Sequence, residues 1–147
     1  MSQQVAEQLL NNHPNVELGE LKMFGLVRDL PTESDPWNEC LDWFEYPTPP
    51  RDFAEDSGQD GASLLHYSCL CRGYIGHHSL NADGTLTLIK FEYPTFDAIP
   101  SQYDEHYITI SGDFWLVLKE YSMSRETLFI PFLDGEIVCD EADWVTQ

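Results

Sequence analysis

Residues 113–122, DFWLVLKEYS, carry the strongest structural signal in this chain, because every position from Phe114 to Leu118 is apolar. Successive side chains of a β-strand point to opposite faces of the sheet, so a strand of this composition needs cover on both faces. The stretch therefore predicts a strand in the middle of a sheet.

Further runs of β-branched and aromatic residues follow Ser63 and are separated by turn signals, a pattern that is typical of an antiparallel sheet. Turns are expected at Asn81–Gly84, and at hairpin positions at Ser111–Gly112 and Asp134–Gly135. Pro131 has no N–H for a ladder and is expected at an edge or a bulge. The predicted strands lie near 64–75, 85–93, 106–110, 113–122, 127–132 and 136–139.

The N-terminal part of the chain carries helical patterns instead. Ser2 is placed to cap a short helix that runs to Asn11. A second helix is predicted over 36–45, with Asp35 as its N-cap and Pro36 at its first position. In both segments, apolar residues recur at the spacing that puts them on one face of a helix.

Residues 16–30 stay ambiguous, because their apolar residues keep helical spacing whereas Gly19 and Gly25 disfavour a helix. Helices first and strands second predict an α+β fold. We expect N-terminal helices packed on one face of a mostly antiparallel five- to six-stranded sheet, in a single domain that spans residues 1–147.

The pentapeptide Phe-Glu-Tyr-Pro-Thr occurs twice, at 44–48 and at 91–95, but the flanking residues do not match. The first copy ends a helical pattern and the second ends a strand pattern, which argues against a duplicated unit. A residue before proline avoids the helical region, so Tyr-Pro ends either kind of element.

The balance of charge excludes some classes of partner. The chain has 147 residues, with 26 Asp and Glu against 7 Lys and Arg, and a formal net charge of −19. Its 42% of hydrophobic residues is enough to fold a globular core. Binding to nucleic acid rests on Lys and Arg that neutralise phosphates, so direct binding to nucleic acid or to an anionic membrane is not expected.

The sequence predicts a cytoplasmic protein. Residues 1–15 contain neither a basic segment nor a long apolar run, so no secretory signal is expected. No window approaches the roughly 18 apolar residues of a membrane span. Without export, the cysteines are expected to be reduced and mostly in the core. They are Cys40, Cys69, Cys71 and Cys139.

One stretch is rich in possible zinc ligands, with five within thirteen residues: His66, Cys69, Cys71, His77 and His78. On a strand, Cys69 and Cys71 would share one face while His66 pointed to the other. No second cysteine pair has the spacing of a zinc finger. We therefore expect no metal or cofactor, with the cysteines in the sheet face and His77 and His78 in the turn before Asn81; zinc is the weaker alternative.

Catalytic motifs are missing from the chain. It has no Gly-x-Ser-x-Gly elbow, no His-Glu-x-x-His and no phosphate loop. Glu105 and His106 are neighbours, but adjacent residues of a strand point to opposite faces and would not converge. The sequence therefore favours a protein that is not an enzyme.

The carboxylates are concentrated in two places. Residues 29–60 hold ten acidic side chains against Arg51 alone, and Asp134, Glu136, Asp140, Glu141 and Asp143 surround Trp144 with no base among them. Aromatic side chains supply binding energy at interfaces, and charges steer encounter. The residues predicted to bind a partner are Asp35, Trp37, Glu39, Asp42, Trp43, Glu45, Asp52, Glu55, Asp56, Asp60 and Trp144.

Three functions fit this pattern. The first is a small acidic inhibitor or immunity-type protein that blocks a basic partner, such as a nuclease toxin or another nucleic-acid enzyme. The second is a DNA mimic that blocks a DNA-binding defence protein. In the third, the acidity serves only solubility, on a small enzyme or another protein of unrelated function. The first is favoured.

The predicted 36–45 helix makes one variant informative. Replacing both Glu39 and Asp42 by lysine is expected to slow association with a basic partner, because it weakens the field that steers encounter. Association rates measured at low and high salt test this, and an unchanged rate would remove this helix from the binding face.

Overall fold

The computed structural model describes residues 6–28, 46, 74–93, 102–121 and 123–146. Within these ranges, a 3-10 turn at Cys139–Glu141 is the one helical element, and the rest of the regular structure is strand. The strands are β1 (Gln8–Asn11), β2 (Lys22–Val27), β3 (Ile75–Leu80), β4 (Leu86–Tyr93), β5 (Gln102–Thr109), β6 (Phe114–Lys119), β7 (Glu126–Leu133), β8 (Glu136–Ile137) and β9 (Asp143–Thr146).

The strands form two sheets. One has the order β1-β3-β4-β5; the other has the order β2-β6-β7-β8, and β9 also pairs with β7. The β1–β3 pair is parallel, and the other pairs between these strands are antiparallel. The predicted α+β fold, with N-terminal helices packed on a sheet, is therefore wrong: the described part of the chain is nearly all β.

The helix predicted from Ser2 to Asn11 is contradicted by β1, which occupies Gln8–Asn11. Its backbone pairs with β3, where Gln8 lies opposite His77, so a distant strand overrides the local helical spacing. In the ambiguous 16–30 segment, the structure forms β2, and Gly25 lies where the register shifts. The helix predicted over 36–45 lies outside the described residues.

The strand predictions fared better from residue 85 onward. Those near 85–93, 106–110, 113–122, 127–132 and 136–139 correspond to β4, β5, β6, β7 and β8. The strand predicted at 64–75 falls outside the described residues except at its last two positions. β3 lies where a turn with His77 and His78 was expected, and β9 was not predicted.

Two of the three predicted turns are confirmed. Asn81–Gly84 joins β3 to β4, and Asp134–Gly135 joins β7 to β8 with φ values of 49° and 81°, which suit a type I′ hairpin. Ser111–Gly112 is not a hairpin, because β5 belongs to one sheet and β6 to the other. A local turn signal shows that the chain bends, but not which sheet it enters next.

Pro131 lies inside β7, which has partners on both sides, rather than on an edge strand. Its carbonyl accepts a hydrogen bond from the N–H of Val138 at 2.9 Å, so the polar groups of Pro131 face away from β6. On that side, Pro131 lies between the residues of β7 that pair with β8 and those that pair with β9. The N–H that proline lacks would not point toward β6, so the β6–β7 ladder loses no hydrogen bond.

Both sheets contribute side chains to one apolar core. Phe114 and Phe132 stack in its centre with ring centroids 4.6 Å apart, and Leu88 and Phe91 enter it from the other sheet. Val117 belongs to a second buried cluster, on the opposite face of β6. The prediction that 114–118 forms a central strand is thereby confirmed, since β6 lies between β2 and β7.

Two leucine substitutions test this core. Leu116→Ala removes a side chain that is 0% exposed and should lower the free energy of unfolding by about 3 kcal/mol, because it leaves a cavity. Leu10→Ala makes the same chemical change at a side chain that is 59% exposed and should cost less than about 0.5 kcal/mol. Urea unfolding measures both, and equal losses would contradict this placement of the core.

Candidate functional site

Trp144 is the one residue of the predicted partner-binding set that lies within the described ranges. The other ten lie outside the described residues: Asp35, Trp37, Glu39, Asp42, Trp43, Glu45, Asp52, Glu55, Asp56 and Asp60. Among the zinc candidates, the structure describes His77 and His78, whereas His66, Cys69 and Cys71 fall outside it.

Trp144 lies on β9, opposite Leu128 of β7. Its side chain is 53% exposed, an unusual state for a tryptophan, which is highly buried on average. Val145, the next residue, points to the other face and packs against the cluster that contains Phe129. The strand is therefore anchored by one side chain while the indole stays accessible to solvent.

Several carboxylates lie close to this tryptophan in the sequence. Residues 134–146, which we call the acidic edge, contain no Lys or Arg. Its five acidic side chains are all exposed: Asp134, Glu136, Asp140, Glu141 and Asp143. Exposed charges of one sign beside an aromatic side chain attract cationic groups and steer their approach.

The backbone of β9 has one side without a partner strand in the described part of the chain, since β9 pairs with β7 alone. The carbonyl of Pro131 points toward Val138, on the side of β7 that is away from β6. The backbone N–H and C=O groups of alternate residues, including Phe129 and Thr127, point to that same side. Their opposite residues, Asp143 and Val145, therefore bond to β7, and the N–H and C=O groups of Trp144 and Thr146 face outward.

His77 and His78 lie on β3 and not in a turn, and they point to opposite faces. His77 is partly exposed, and its Nε2 lies 2.8 Å from Oε1 of Glu92. His78 is 1% exposed and hydrogen bonds through Nε2 to the hydroxyl of Tyr46 at 2.9 Å. The two rings cannot bind the same metal ion, and the described residues contain no group of three possible ligands.

A buried polar cluster surrounds His78. Glu7, only 4% exposed, accepts a hydrogen bond from the backbone N–H of Gly76. A Cβ on Gly76 would lie 2.5 Å from Oε2 of Glu7 and 2.6 Å from Cε1 of His78, so both side chains fill the space that glycine leaves. Tyr46 packs edge to face on Phe91, which brings residues from the two copies of Phe-Glu-Tyr-Pro-Thr together.

The described histidines do not assemble a nucleophile and base. Ser79 shares the outer face of β3 with His77, but its hydroxyl donates to Oδ1 of Asn81 at 3.0 Å. Glu105 is exposed on β5, whereas the ring of His106 packs on Phe91, so these neighbours point apart as predicted.

A cleft of about 340 Å³ lies between the β1 strand and the segment that leads into β2. Glu7 and Lys22 are the titratable residues in its lining. The oxygen of Glu7 that bonds to Gly76 points into the buried cluster. Gln8 and Asn11 also line the cleft, so it presents amide groups but only one acid and one base.

Two pKa shifts have clear causes. The hydroxyl of Thr85 donates to Asp83 at 2.6 Å, and this bond lowers the pKa of the Asp83 carboxyl. Burial lowers the pKa of Lys119, whose ammonium lies 5.8 Å from the centre of the Phe24 ring. Asp83 lies in the β3–β4 turn and Lys119 lies at the end of β6, so both shifts belong to the framework of the fold.

The sequence did not point to Glu7. The carboxylate lies in a segment with a helical pattern, and its partner Gly76 is reached only because β1 lies beside β3. The residues near Glu7 in the sequence do not predict such a contact. The patch around Trp144, in contrast, was visible as five acids without a base in a short stretch.

A pair of tyrosine substitutions tests the buried cluster. Tyr46→Phe removes the hydroxyl that bonds to His78 and should lower the free energy of unfolding by about 1–3 kcal/mol, because a buried ring nitrogen loses that hydrogen bond. Tyr121→Phe makes the same change at a residue that is 47% exposed and should have an effect within about 0.5 kcal/mol. Thermal unfolding compares the two, and equal effects would contradict the role of the Tyr46 hydroxyl.

Comparison with protein-family models, with curated proteins and with solved structures found no match for this chain. Among the described residues, no helix has the length and apolar character needed to span a membrane.

Proposed function

We propose that this protein binds a basic protein partner through the acidic edge and blocks that partner, as a small inhibitor or immunity-type protein does. One observation carries the proposal: residues 134–146 hold five exposed carboxylates and no Lys or Arg, and the half-exposed Trp144 lies on a strand edge in the same segment. An aromatic anchor within complementary charge is the arrangement that gives both affinity and fast association.

The tryptophan and the carboxylates of this surface have different roles, which follow from their chemistry. Tryptophan is enriched among the residues that dominate binding energy, because it buries a large rigid area and can donate one hydrogen bond. Exposed carboxylates contribute less to affinity but raise the rate of encounter with a cationic partner. Trp144 is therefore the anchor, and the acidic residues supply steering and selectivity.

A nuclease or another nucleic-acid enzyme is the partner class that fits best. Its cleft holds phosphates with Lys and Arg, and carboxylates compete for the same groups. The net charge of −19 on the whole chain strengthens the long-range attraction. The same proposal includes the acidic residues of 29–60, which add to the charge that attracts a basic partner.

The first experiment identifies the partner. A photo-cross-linking amino acid in place of Leu133, which is 47% exposed beside the acidic edge, should trap the partner in cells of the source organism. The purified partner is then assayed for nucleic-acid cleavage and for binding to DNA, with and without this protein. Loss of cleavage supports an inhibitor, and displacement from DNA without an enzymatic activity would identify a DNA mimic instead.

Charge reversal then locates the surface. Glu136→Lys with Asp140→Lys should slow association with the trapped partner by about tenfold at low salt, because both charges lie on the acidic edge. Stopped-flow measurements over a range of salt concentrations give this rate.

The matched control carries Glu17→Lys and Glu20→Lys. Both residues are exposed and precede β2, and β6 and β7 lie between β2 and β9. This control changes the net charge equally and should retain most of the association rate. If the two double variants slow association equally, the attraction is a property of net charge, and the acidic edge is not the binding face.

A further inference from the structure

We infer that the partner contributes an extended segment that adds to β9 as an antiparallel strand, with apolar and basic residues in alternation. The inference rests on the proposed function and specifies how that partner is recognised. It follows from the backbone of β9, from the two faces of that strand and from the sign of its charge.

The backbone supplies the first requirement. The outward groups of Trp144 and Thr146 provide two N–H donors and two C=O acceptors along one edge, spaced as an added strand requires. The β7–β9 register has no shift, so these groups lie in a regular row. The rest of this sheet is antiparallel, which favours an antiparallel addition.

β9 also lacks the devices that usually protect a sheet edge from pairing. Its sequence, Asp-Trp-Val-Thr, contains no lysine, no proline and no bulge. Its first two residues and its last are exposed. Carboxylates alone mark this edge, and they repel acidic strands but not basic ones.

The two faces of β9 determine the pattern of the added strand. Side chains directly opposite each other on paired strands interact, so the residue beside Trp144 should be apolar. Asp143 points to the other face, and a Lys or Arg beside it gains an opposite charge. Alternation of the two residue types therefore satisfies both faces at once.

A second copy of this chain does not fit the same edge. Two copies paired at this edge would bring carboxylates of the same sign near each other, which opposes association. The net charge of −19 on each copy adds to the repulsion. Charge complementarity thus selects a basic segment from a different protein.

Synthetic peptides test the inference without knowledge of the natural partner. The probe is a short capped peptide of alternating valine and lysine, and two methylated forms serve as a matched pair. In an antiparallel strand whose valines lie beside Trp144, the valine amides face β9 and the lysine amides face solvent. One form carries N-methyl groups on the valine amides, and the other carries them on the lysine amides.

The unmodified peptide and the lysine-methylated form should bind with similar affinity. The valine-methylated form should bind at least about tenfold more weakly, because its methyl groups remove the donors that face β9. In hydrogen-exchange measurements, the amides of Trp144 and Thr146 should exchange faster than that of Val145 in the free protein. They should become protected when the peptide binds.

Equal affinity of the two methylated peptides, or no binding of the unmodified one, would overturn strand addition. Unchanged exchange at Trp144 and Thr146 in the complex would do the same. The proposed function has its own separate outcome, the comparison of the two charge-reversed double variants. A partner that discriminates between those variants while the two methylated peptides bind alike would leave the acidic edge as the binding face, without an added strand.

Discussion

The burial of alternate side chains between the two sheets is the constraint on which the rest of the structure depends. Leu128, Ile130 and Phe132 of β7 point toward the shared core. A slip of one residue would turn all of them to the opposite face, so the core fixes the register. The register in turn fixes which backbone groups of β7 face β6 and which face β8 and β9.

The location of the candidate site follows from this register. The backbone N–H and C=O groups of Phe129 and Thr127 point toward β9. The residues opposite them, Asp143 and Val145, must therefore bond to β7. The outward direction of the Trp144 and Thr146 backbone is then decided by side chains deep in the core. Pro131 obeys the same constraint, since its position within β7 costs no hydrogen bond to β6. The core and the candidate site are thus parts of one geometric arrangement.

Local signals predicted the second half of the fold well. The alternation and turns after residue 85 belong to neighbouring strands, so a short window contains most of the information about their pairing. The hairpin at Asp134–Gly135 is the clearest case, because its sequence favours the positive φ values that the turn requires. Ser111–Gly112 shows the limit, since the same kind of signal marks a passage between sheets.

The fold of the first half of the chain depends on contacts between residues that lie far apart in the sequence. A short stretch of sequence does not contain both partners of such a contact. Leu9 and Leu10 fit a helical spacing, yet β1 is a strand because β3 offers it a partner far along the chain. The faces of His77 and His78, and the burial of Glu7 beside Gly76, follow from that pairing. The acidic patch near Trp144 was visible in the composition, whereas the edge of β9 that lacks a partner among the described strands depends on strand order and could not be seen there.

The acidity of the chain has a physical role even before any partner is considered. A strand edge with free backbone groups pairs readily with other edges, and natural proteins prevent this with charge, proline or bulges. At β9 only the charge is present. Carboxylates oppose pairing between copies, but in doing so they leave the same edge open to strands of opposite charge. In the proposed mode of binding, the charge that opposes pairing between copies therefore also defines the partner that this edge accepts.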